Sequence, residues 1–132
     1  MPRPSYSAGG RLLTPFLREK IAGVRCLVSF YGVMAGDATL PAGYSPLAQI
    51  GASGEKLPMF IARAGLDDAA LNAGLDAFVR EATAKGFDLQ VFNHAEGHHG
   101  FDIRDDNDRS REIIRAFVTF LKVSLSLSKG EG

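Results

Sequence analysis

The sequence predicts an α/β fold, a parallel sheet flanked by helices in a three-layer αβα arrangement. Short apolar segments recur at Val24 to Gly32, Leu57 to Gly65 and Phe87 to Asn93. Their apolar residues fall on both faces, as in strands that helices cover from either side. The stretches that alternate with them carry apolar residues at helical spacing, which is the order a parallel sheet requires. A chain of 132 residues with 45% hydrophobic content suits one domain with a sizeable core.

Each element has its own signature. The chain opens "MPRPSYSAGG", in which no strand is expected before Ser7. Leu12, Leu13, Phe16, Leu17 and Ile21 then mark one face of a helix from about Ala8 to Lys20, and Pro15 predicts a kink or a late start at Thr14. "VRCLVSFYG" is β-rich and apolar, a buried strand. The segment from Val33 to Lys56 holds four glycines and two prolines, hence a long connection with one turn of helix at "SPLAQI". "LPMFIARAG" is the second strand. The helix after it shows its apolar face at Leu71, Leu75, Phe78, Val79 and Ala82 and stops at Lys85 and Gly86. "FDLQVFN" is the third strand and "HAEGHHGFDIRDD" a polar loop. A last helix, capped by Asn107 or Asp108, carries Ile113, Ile114, Phe117, Phe120, Leu121 and Ser124 on one face. The domain is thus expected over 1–124, with a frayed tail over 125–132.

Charge and composition exclude several classes of partner. Fifteen basic and fifteen acidic residues cancel, so nothing drives nonspecific binding to nucleic acid or to an acidic membrane. The longest near-apolar stretch, "CLVSFYGVMAG", falls far short of the ~20 residues that cross a bilayer. The single cysteine, Cys26, has no disulfide partner and no secretory signal pattern opens the chain, so a cytoplasmic protein is expected.

In parallel sheets ligands bind beyond the carboxyl ends of the strands. That rule singles out Ser7, "GLDD" and "EGHHGFD", so serine, acid and histidine arrive in that order. A serine hydroxyl is a poor nucleophile at neutral pH until a histidine takes its proton and an acid orients that histidine. "SYSAGG" approximates the G-x-S-x-G elbow, with Ser5 in place of the first glycine. A plain Ser/Gly-rich terminal loop is the alternative. Of the two aspartates after the second strand, Asp68 reads as the helix cap, which leaves Asp67 to face a histidine. In the alternative, both merely cap and solvate the helix. All three histidines, His94, His98 and His99, fall in one loop. A zinc site from His94, His98 and Asp102 is allowed by residue type but matches no standard spacing, and a general base is the better use of one histidine.

Together "SYSAGG", "RAGLDD" and "EGHHGFD" resemble the α/β-hydrolase family, in particular its dienelactone-hydrolase-like and related esterase or peptidase branches. The resemblance implies a catalytic triad of Ser7, Asp67 and His99, with the backbone N–H of Ala8 in the oxyanion hole, His98 as a neighbour and no metal or other cofactor. Dienelactone hydrolases use a cysteine nucleophile, whereas Cys26 falls inside a strand, so a serine branch is implied.

The resemblance covers roughly Ser5 to Val123, the second half of such a domain, and "MPRP" looks like a start placed where a longer sequence was cut. The strand leading into the elbow and one oxyanion donor are therefore expected to be missing. Losing one donor typically costs about 10² to 10³ in rate. The strand from Val24 is expected to be an open edge, inviting a homodimer. The leading reading is a serine hydrolase for small-molecule carboxylic esters or related acyl substrates. A catalytically silent hydrolase fragment serving as an interaction or structural module ranks second. A small doubly wound binding protein ranks third, weakened because "GASGEK" lacks phosphate-loop spacing.

Overall fold

The computed structural model describes residues 2–6, 13–18, 21–35, 45–52, 54 and 56–130, with backbone alone at 2–6 and 127–130. In chain order the elements are β1 (Pro2–Tyr6), α1 (Thr14–Arg18), β2 (Cys26–Phe30), α2 (Pro46–Gln49) and β3 (Met59–Ala64). They continue as α3 (Ala69–Ala84), β4 (Leu89–His94), α4 (Phe101–Arg104) and α5 (Asp108–Gly130). The four strands form one sheet in the order β1-β2-β3-β4, every pair parallel.

The alternation of side chains along β2 and β3 separates the two faces of the core. Leu27, Met59 and Ile61 point to one face, where Leu13 and Leu17 beside and within α1 and Leu75, Phe78 and Ala82 of α3 cover them. Cys26, Val28, Phe30, Phe60, Ala62 and Ala64 point to the other, under Phe101 of α4 and Ile113 and Phe120 of α5. All five residues of β2 are buried. This is the αβα sandwich that the apolar strands predict, since a strand with helices on both faces has no polar side to show.

Three expectations need correction. A strand does precede Ser7: β1 lies along β2 in register from Pro2 opposite Cys26 to Tyr6 opposite Phe30. Two prolines in five residues hide it, because each removes a backbone donor, which an outer strand tolerates and an inner strand does not. The strand from Val24 is consequently no open edge, and among the described residues the outer strands are β1 and β4. The loop after β4 is interrupted by α4, which seats Phe101 in the core.

Other boundaries follow local chemistry. α1 begins at Thr14 with Pro15 in its first turn, the late start that a ring lacking N–H permits. Asp68 caps α3 by accepting from the N–H groups of Ala70 and Leu71, both at 3.0 Å. Asn107 Oδ1 accepts from Ser110 N at 2.9 Å at the start of α5. That helix continues through the expected tail to Gly130, since nothing between Ser124 and Lys129 is a glycine or proline. Among the described residues no helix is long and apolar enough to cross a membrane.

Candidate active site

Because all four strands run the same way, the turns that follow them gather at one edge of the sheet. The turn after β3 and the loop after β4 are joined by backbone hydrogen bonds, Gly65 N to His94 O at 2.8 Å and Leu66 N to Gly97 O at 2.9 Å. A third bond, Asp67 N to Ala64 O at 3.2 Å, closes the turn itself. Asp67 is thus fixed relative to the loop that carries His99 before any side chain takes part.

The side chains complete the pairing. Asp67 Oδ2 is hydrogen-bonded to His99 Nδ1. The other oxygen, Oδ1, accepts from Asp68 N at 2.7 Å, which prevents the carboxylate from rotating away. The Asp67 side chain is 7% exposed and that of His99 is 39% exposed, so the acid is shielded while the imidazole remains open to solvent. An ionised carboxylate only accepts, so Nδ1 carries the proton and donates it. In the neutral ring Nε2 then keeps its lone pair, the tautomer a general base needs.

The remaining histidines have different partners. His94 is buried, its Nε2 within 3.1 Å of both Asn107 Oδ1 and Ser110 Oγ. His98 is exposed, with its Nδ1 at 3.2 Å and its backbone N at 2.8 Å from Asp105 Oδ2. These bonds hold the Asp105 carboxyl below its ordinary pKa, the backbone N–H of His98 contributing most. Asp102 accepts from Tyr31. The zinc set of His94, His98 and Asp102 is therefore not assembled, and among the described residues no three or more His, Cys, Asp or Glu side chains gather as a metal site would require. Cys26 opens β2 and is fully buried, and burial pushes its thiol pKa up, away from nucleophilic use.

Ser7 and Ala8 follow β1 directly in the chain but lie outside the described residues. The strand that leads to them ends at Tyr6, beside Phe30 of β2. Nothing in the residue pattern marks Tyr31, whose partner Asp102 lies in a distant segment, or singles out Asp105, whose partner His98 lies in the same loop. The only sequence signal at Tyr31 is its place before Gly32, at a strand end.

This chain order and sheet topology define a class of fold, a partial α/β-hydrolase fold. Solved structures share it. An acetyl ester-xyloside bifunctional hydrolase from Caldicellulosiruptor lactoaceticus superposes with a TM-score of 0.72 at 16% identity, over 91% of this chain and 55% of that one. A thermophilic esterase from Thermogutta terrifontis gives 0.71 at 17% identity, again over 91% of this chain and 55% of that one. The acylaminoacyl peptidase of Pyrococcus horikoshii gives 0.74 at 19% identity, over 94% of this chain and 24% of its own. The chain thus spans about half the length of the two esterase-type structures. No protein-family model and no curated protein sequence matches it.

Proposed function

We propose that the chain carries the acid and base, and with Ser7 the nucleophile, of a serine hydrolase acting on small-molecule carboxylic esters or related acyl substrates. The observation that carries this reading is the pairing of a shielded Asp67 with an open His99 at the carboxyl edge of the sheet. It is supported by the strand β1, whose carboxyl end at Tyr6 lies beside Phe30 of β2, one residue before Ser7 in the chain. A cysteine mechanism of the dienelactone type has no candidate nucleophile, since Cys26 is buried in β2.

In this mechanism Nε2 of His99 takes the Ser7 hydroxyl proton as Oγ bonds to the acyl carbon. Asp67 stabilises the imidazolium that forms. The Ala8 N–H donates to the oxyanion. The tetrahedral species collapses, the C–O bond to the alcohol breaks, and the alcohol leaves with the proton from His99. Water then attacks the acyl-enzyme by the same proton route and releases the acid and Ser7.

A fluorophosphonate probe should label Ser7, and a nitrophenyl acetate should be hydrolysed. Ser7→Ala and His99→Ala should each reduce hydrolysis to background, and the double variant should lose no more than either single one. His98→Ala should retain most of the rate, because its partner is Asp105. Full activity in Ser7→Ala would leave surface histidine chemistry as the explanation. A folded chain that takes no probe and hydrolyses no ester favours the silent interaction module.

A further inference from the structure

Tyr31 sits one residue beyond β2 with φ +42°, the single non-glycine residue with positive φ among those described. A bulky residue seldom adopts this conformation unless its surroundings impose it, and such outliers gather at functional sites. Its backbone N donates to Ala62 O at 2.7 Å, so the strand pairing continues through it. The left-handed backbone brings its ring to the His99 imidazole, with centroids 4.5 Å apart and planes tilted by 53°. Tyr31 is 5% exposed, and its hydroxyl donates to Asp102 Oδ1 at 2.8 Å. Asp102 lies three residues after His99, in the first turn of α4, whose Phe101 also packs edge-on against Tyr31 at 5.9 Å.

Two constraints therefore converge on one imidazole. Asp67 holds Nδ1, which fixes one end of the ring and leaves rotation about that hydrogen bond. The face of Tyr31 limits that rotation, and its hydroxyl ties the loop carrying His99 to the end of β2. We propose that Tyr31 and Asp102 form a positioning clamp that sets the plane of the His99 ring, and with it the direction of Nε2. Tyr31 acts through His99 and takes no proton of its own. The consequence for activity rests on the serine-hydrolase reading, while the clamp itself concerns only the ring of His99.

The test uses the full chain and reads His99 directly, by NMR of the imidazole C–H and N–H signals. Tyr31→Phe keeps the ring and the core packing but removes the donor. Asp102→Ala removes the acceptor from the other side, and Asp102→Asn keeps an acceptor oxygen. Tyr31→Phe and Asp102→Ala should both shift the His99 signals and speed exchange of its Nδ1 proton. His94, buried against Asn107 and Ser110, should be unmoved, and Asp102→Asn should restore the wild-type signals. Ester hydrolysis should fall about tenfold in kcat with KM little changed, as expected for a misaimed base. Unchanged His99 signals in both variants would overturn the clamp, as would equal shifts at His94, which would mean general loosening. If the wild-type chain takes no probe at Ser7, the serine-hydrolase reading fails while the His99 signals still decide the clamp.

Discussion

His98 and His99 are neighbours in sequence with separate carboxylate partners, Asp105 and Asp67. Adjacent side chains in a turn point apart, so the two rings cannot share one acid. The "HHG" run allows either to be the base, and the backbone bond from Leu66 N to Gly97 O decides by bringing Asp67 to His99. Asp105 has the supporting part, accepting from the His98 backbone just before the base. Its pKa is lowered from 3.8, so its contribution to stability is fully present above that value and is lost as pH falls through the lower folded-state value. The exchange protection of the His98 amide should therefore collapse only below about pH 4. Asp105→Asn should weaken that protection at neutral pH and remove its acid dependence. Protection that is unchanged by the substitution would show the turn to be held by other bonds.

Among the elements, the turn from β3 into α3 is the most tightly specified. A Cβ on Gly65 would lie 2.3 Å from the carbonyl oxygen of Ala95, and backbone cannot withdraw as a flexible side chain can. That close approach is what lets Gly65 N reach His94 O and locks the β3 turn to the β4 loop. Asn72 reinforces the junction from within α3, its Nδ2 donating to Ala64 O at 3.0 Å. Gly65→Ala should destabilise the chain by about 1–3 kcal/mol, the usual cost of an overpacked site. Thermal unfolding followed by circular dichroism would detect this. Loss of the Asp67–His99 contact should accompany it, since both residues hang on the displaced backbone. An unaltered melting temperature would show that the loop after β4 can move aside.

At the scale of the whole molecule, β1 protects the sheet. β2 is buried along its length and bears β1 on one side and β3 on the other. Removing residues 1–6 would strip a full row of hydrogen bonds from β2 and open an apolar edge to other copies of the chain. The shortened chain should form dimers or aggregates at micromolar concentration by light scattering, whereas the intact chain has no such edge at β2. Equal behaviour of the two chains would mean that the pairing of β1 contributes little. On the opposite side, Arg109 of α5 donates to the carbonyl of Asn93 at 3.0 Å, satisfying one acceptor of the outer strand β4. A homodimer through an outer strand, if one forms, falls to β1 or β4.

The αβα class was legible because the patterns behind it are local: apolar runs at Val24 to Gly32 and Leu57 to Gly65, helical spacing between them, and Asp68 placed to cap. The pairing of Asp67 with His99 was legible for a related reason, since each lies within a few residues of a strand end and parallel strands bring such ends to one edge. β1 was not legible, because its prolines argue against a strand and only the neighbouring β2 supplies its hydrogen bonds. Nor was the continuation of α5 to Gly130, where the alternation of serine and leucine suits no helix but nothing stops one. Tyr31 belongs wholly to the tertiary structure. No local preference favours a tyrosine at φ +42°, and contacts with His99 and Asp102, about 70 residues away, are what hold it there. Residue type and spacing determine which groups can reach the carboxyl edge of the sheet. The packing of distant segments decides which way each group faces, because orientation depends on neighbours that the chain meets only when folded.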